Sequence, residues 1–163
     1  MSPTILDAQE IIRRHQSSAP VQVVPIAEDM GIKVYRQTGW PDTLSGMICR
    51  DKQRGGHSGY AIFVNASHAE TRRRFTIAHE IAHFALHRSL IGDGIKDDAL
   101  YRSGLSSAVE AQANALAADI LMPWHLVNAE IAKGNDTVPL LASVFKVSRS
   151  SMSIRMGVPY ELT

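Results

Sequence analysis

The chain has 163 residues, of which 45% are hydrophobic and 20% charged. That balance suits one folded unit able to form a core without disulfides, and it excludes a disordered chain. Lys and Arg number 17 against 16 Asp and Glu, so no strong global field draws nucleic acid or an anionic membrane to the surface.

The first segment, Met1 to Arg14, mixes Asp7 and Glu10 with its apolar residues and does not read as a signal peptide. Ile5, Ala8, Ile11 and Ile12 have helical spacing, with Arg13 and Arg14 near the end where cations favour the helix dipole. A second short helix is predicted over Val21 to Met30, stopped by Gly31. Three strands follow: Ile32 to Arg36, Leu44 to Cys49, and Tyr60 to Val64. The single Cys49 sits beside Met47 and Ile48, which marks it as a small core residue rather than a nucleophile. The polar, glycine-rich stretch from Asp51 to Gly59 is a turn or loop.

After Asn65 the pattern turns helical. Ser67 and Glu70 have the spacing of a capping box before a helix that reaches about His87, and Asp93 to Ser103 reads as a surface loop. The next helix opens near Ser107 and ends at Met122, before Pro123. Shorter helices follow, with Pro123 as a first helical residue, Gly134 as a stop, and Thr137 and Ser148 as starts. The longest apolar stretch, Ala115 to Trp124, is broken by Asp119 and too short to span a bilayer. The expectation is a cytoplasmic α+β protein.

The predicted helix from Phe75 to Leu86 is apolar nearly all round, yet its middle holds His79, Glu80 and His83. Burying such groups is costly unless something satisfies them, and a metal ion would. Residues four apart stack on one helix face, so His79 and His83 can share one zinc, with Glu80 beside it as general base. A third ligand is needed. Leu86 and Ser89 exclude the longer metzincin pattern, and His87 lies too far along to join His79 on one ion, so it is read as capping the helix end. Glu110 is the candidate, on a helix whose many alanines allow close approach; the competing reading has it completing a capping box with Ser107. Asn114, one turn on, shares its face and can orient a ligand by hydrogen bonding. Tyr101, His125 and His57 are unranked candidates to assist an oxyanion, and the strand with Tyr60, Ile62 and Val64 is a candidate to bind an extended substrate by strand addition.

Three blocks, Arg74 to His83 (RFTIAHEIAH), Glu110 to Ala118 (EAQANALAA) and Leu121-Met122-Pro123, resemble the ImmA/IrrE family of metallopeptidases over about Ile26 to Gly157. Leu116 departs from the aromatic more usual there. The resemblance implies a zincin-like fold, with Zn2+ held by His79, His83 and Glu110, and Glu80 as catalytic base. It also implies a protein substrate, a transcriptional repressor of the helix-turn-helix type cleaved at one site, and it includes relatives in toxin and antitoxin pairs.

The chain thus reads as a single domain over 1–163: N-terminal helices over 1–31, a small three-stranded sheet over 32–66, metal-binding helices over 67–123, and a helical appendix over 124–163. Arg72 to Arg74 is a solvated face with one structural Arg. Leu140 to Met156 resembles a helix-turn-helix, but Lys146, Arg149 and Arg155 carry too little charge for a DNA reader, and a nucleic-acid partner is not expected. Rival readings are a DNA-binding regulator with a structural zinc and a toxin or antitoxin partner without turnover. The oligomeric state is open.

Overall fold

The computed structural model describes residues 5–92, 94–98 and 105–159. Helix α1 (Ile5–Arg14) turns Ala8, Ile11 and Ile12 into the core, as their spacing predicts. Helix α2 (Val23–Asp29) is shorter than the predicted span, and the chain leaves it through Gly31, whose φ of 83° a glycine adopts without strain.

The three predicted strands form as β1 (Ile32–Gln37), β2 (Leu44–Arg50) and β3 (Tyr60–Asn65). A fourth, β4 (Ile95–Asp98), arises inside the stretch expected to be a surface loop, and the sheet order is β1-β3-β2-β4. An open strand edge is a row of main-chain donors and acceptors that a neighbouring extended segment can satisfy whatever its side chains, so periodicity gave no warning of β4. β1 runs parallel to β3, while β2 is antiparallel to both β3 and β4. β3 is therefore central, and all six of its residues are buried. One sheet face feeds the main core; the other carries a small cluster of Cys49, Ala61 and Phe63 covered by Tyr35, Trp40 and Met47. Cys49 is a buried free thiol, raised from its ordinary pKa mainly by burial.

Helix α3 (Glu70–Leu86) crosses the inner face of the sheet and is buried continuously from Thr76 to Ala85. Its N-cap is Ala69, with no side-chain cap, so the predicted capping box does not form. Ser67 instead donates its hydroxyl to Oδ1 of Asn65 at 2.7 Å, closing the turn after β3. A short helix, α4 (Arg88–Ile91), follows, and α5 (Ser107–Leu121) packs along α3 with Ala113 and Ala117 fully buried. The cap of α5 is Ser106, one residue earlier than predicted, whose hydroxyl accepts from the Val109 amide at 3.2 Å. Glu110 is left with no part in the cap.

Pro123 is the N-cap of α6 (Trp124–Ala132) rather than its first helical residue. Thr137 and Ser148 cap α7 (Val138–Phe145) and α8 (Arg149–Met156) as predicted. The pair buries Leu141, Ala142, Phe145, Val147 and Met152. It is tied to α3 by Arg74, which is 8% exposed and donates to the carbonyls of Val21 (2.8 Å), Lys146 (3.1 Å) and Phe145 (3.2 Å). Arg74→Met fills similar space but leaves three carbonyls without a charged donor. It should lower unfolding stability by about 2 to 4 kcal/mol, measured by urea denaturation, whereas the exposed Arg72→Met should change it by less than about 0.5 kcal/mol.

Candidate metal centre

His79 and His83 stand four residues apart on α3, so their rings meet on one face, with centroids 4.6 Å apart. Glu110 reaches them from the first turn of α5, because Ser106 rather than Glu110 serves the helix cap. Nε2 of His79 lies 3.1 Å from Nε2 of His83 and 3.1 Å from a Glu110 carboxylate oxygen; Nε2 of His83 lies 3.3 Å from the other. Four tetrahedral donors at 2.0 to 2.1 Å from a zinc ion are about 3.3 Å from one another. The three side chains thus present two imidazoles and one carboxylate at the spacing such an ion requires. They form a group able to hold a metal, and all three are buried.

Burial sharpens the point. Exposure is 5% for His79, 0% for His83, 3% for Glu110 and 0% for Glu80. Neither carboxylate oxygen of Glu80 has a hydrogen-bond partner among the described residues. A buried carboxylate without a donor is costly, and a cation with its water is the chemistry that such a group suits.

The ring orientations are held from behind. Nδ1 of His79 donates to Oδ1 of Asn114 at 2.8 Å, which turns Nε2 towards Glu110. Nδ1 of His83 faces Nδ1 of His87 at 3.1 Å, and Nε2 of His87 donates to Oε1 of Gln112 at 2.8 Å. The backbone of His87 does end α3, its N–H donating to the His83 carbonyl at 2.8 Å, but its side chain does more than a cap. Sequence reasoning missed this contact, although the i, i+4 row from His83 to His87 was the signal for it. It also passed over Gly46. A Cβ there would come within 2.4 Å of Cγ2 of Thr76, so the glycine lets β2 lie against α3 beside Glu80.

Other expected site residues are not brought to the cluster. Tyr60, Ile62 and Val64 belong to the central strand, paired on both edges with β1 and β2, so β3 has no free edge to which a substrate strand can add. Their continuous apolar run reflects burial on both faces of the sheet. His125 is on α6, beyond the end of α5, with Nε2 bonded to the Gln16 carbonyl at 2.7 Å. His57 packs its ring over Gly31. Tyr101 lies outside the described residues.

An α+β fold with two histidines and a carboxylate gathered in this way on adjoining helices is of the metallopeptidase type. The Peptidase_M78 family model, described as the IrrE N-terminal-like domain, matches residues 27–156, and the chain belongs to this family. Its fold is similar to that of a solved structure described as a Mycobacterium tuberculosis transcriptional regulator, at 18% identity and a TM-score of 0.62. The similarity covers 97% of this chain but 48% of that one, so this chain spans about half that protein's length. No curated protein gives a significant match.

Burial and the neighbouring His79 lower the pKa of His83 from 6.5 to about 4, Glu110 opposing them in part, so the ring is neutral at pH 7 as a metal ligand must be. In the unfolded chain it takes its proton near pH 6.5. The metal-free protein should therefore hold this stability fully above about pH 6.5 and lose it as the pH falls towards 4, by up to about 3 kcal/mol. Urea denaturation of chelator-treated protein across that interval should show the loss, and a His83→Leu variant should show a shallower one.

Proposed function

We propose that the chain is a cytoplasmic zinc-dependent endopeptidase, working as a single catalytic unit, that hydrolyses a peptide bond in a specific partner protein, a repressor of the helix-turn-helix type. In this reading His79, His83 and Glu110 hold the metal, Asn114 orients His79, and Glu80 is the general base. The observation that carries it is the convergence of two imidazole nitrogens and a carboxylate at 3.1 to 3.3 Å, beside a second buried carboxylate that no donor among the described residues satisfies.

When bound, zinc would supply Lewis acidity, bringing the pKa of water towards about 7 and polarising the scissile carbonyl. Glu80 takes the proton of the attacking water and passes it to the leaving amine nitrogen as the C–N bond breaks. Its fully buried carboxylate works in a low dielectric, where it is not levelled by bulk water. The substrate class rests on the family to which the chain belongs and on a similar structure being described as a transcriptional regulator. The cytoplasmic setting accords with Cys49 as an unpaired buried thiol. No described helix is long and apolar enough to cross a membrane.

The helical appendix supports docking of a protein more than reading of DNA. Of its four cations, Arg155 pairs with Asp119 at 2.9 Å and lies over the Trp124 ring, Lys146 pairs with Glu70 at 3.6 Å, and Lys133 pairs with Glu130 at 3.4 Å. The test is co-expression with a small helix-turn-helix protein, where one is encoded beside the gene for this chain. Glu80→Gln should retain one zinc per chain by elemental analysis and cut that protein at least about 100-fold more slowly; undiminished cleavage by the variant would remove Glu80 from the mechanism.

A further inference from the structure

The protons on the histidines behind the metal cluster can be placed by elimination. A neutral imidazole has one N–H and one bare nitrogen. Oε1 of Gln112 only accepts, so Nε2 of His87, 2.8 Å away, carries the hydrogen and Nδ1 of His87 is bare. The 3.1 Å contact between the two Nδ1 atoms then requires that of His83 to be protonated. What remains bare on His83 is Nε2, the atom that faces His79 and Glu110. The opposite orientation of the Gln112 amide would reverse every step and leave a hydrogen on Nε2 of His83, where no metal could bind.

We propose that His87, set by Gln112, is a positioning residue that locks His83 as the Nδ1-protonated tautomer, so that both histidines of the cluster are backed by uncharged acceptors. The inference deepens the metal-binding part of the proposed function and rests on it. His79 has Asn114 behind it, and His83 has His87 and Gln112. A carboxylate in either place would draw the Nδ1 proton, strengthen the imidazole as a donor and soften the Lewis acidity of the ion. With neutral partners, the charges of the described residues nearest a bound ion would be those of Glu110 and Glu80. Two carboxylates would balance the +2 of a zinc ion, and neutral backing groups would leave its Lewis acidity available to water and substrate.

Two measurements on the full chain test this, neither of them needing a substrate. Long-range nitrogen-15 correlation spectra of histidine-labelled protein, after chelator treatment and again with zinc alone, should show Nδ1–H on His83 and Nε2–H on His87. A hydrogen on Nε2 of His83 in the metal-free chain would overturn the proposal. Competition with a chromophoric chelator should show His87→Phe and Gln112→Met binding zinc roughly 10- to 100-fold more weakly than the wild type. Gln112→Glu keeps an acceptor at the same place and should bind at least as tightly as the wild type. Wild-type zinc affinity in both apolar variants, with native circular dichroism, would also overturn it. Glu80-dependent cleavage surviving that result would leave the peptidase reading standing; tautomers as stated with no cleavage would sink the peptidase reading and spare the relay.

Discussion

The structure is organised around the cost of placing four ionisable side chains inside an apolar interior. His79, Glu80, His83 and Glu110 are all at least 95% buried, and water does not solvate them. Several kcal/mol oppose each such burial unless charge or hydrogen bonds answer it. The surrounding elements are shaped to bring the four together: α3 is buried continuously from Thr76 to Ala85, α5 brings Glu110 close through buried Ala113 and Ala117, and Gly46 lets β2 rest on α3 beside Glu80. A divalent cation would turn this expensive arrangement into a favourable one, by pairing with the carboxylates and taking a ring nitrogen from each imidazole.

The elements around the cluster are held by contacts that are themselves buried and polar. Arg74 projects from α3 and gathers carbonyls from the N-terminal segment and from the end of α7. Gln16 donates to the carbonyls of Asp119 and Ile120 at the end of α5, while Arg155 donates to Met122 just beyond it. These bonds fix how α1, α5 and α8 lie relative to one another. The geometry of the cluster depends on them, since the reach of Glu110 is set by where α5 sits.

Much of this was legible before any coordinates. Strong periodicity marked α1 and the three strands, and His79-Glu80-x-x-His83 in an apolar helix announced a buried functional group on physical grounds alone. The grouping of Glu110 with the two histidines was expected from alanine-rich packing and family resemblance together, and the structure brings them together. What was missed depended on non-local or main-chain effects. β4 forms on main-chain hydrogen bonds, so no side-chain pattern announced it. The hydroxyls of Ser67, Ser106 and Ser107 are chemically alike, and tertiary packing selects which one caps. The run from Tyr60 to Val64 was a candidate for strand addition because a central strand and an edge strand are hard to tell apart in five apolar residues. The link from His83 through His87 to Gln112 spans two helices and was not visible from spacing along one.

X-ray absorption at the zinc edge, with elemental analysis of the same sample, tests the central claim most directly. The account predicts one zinc per chain in a first shell of nitrogen and oxygen only, with two imidazoles and one carboxylate near 2.0 to 2.1 Å. A sulfur scatterer near 2.3 Å, or a chain that binds no stoichiometric metal, would contradict it.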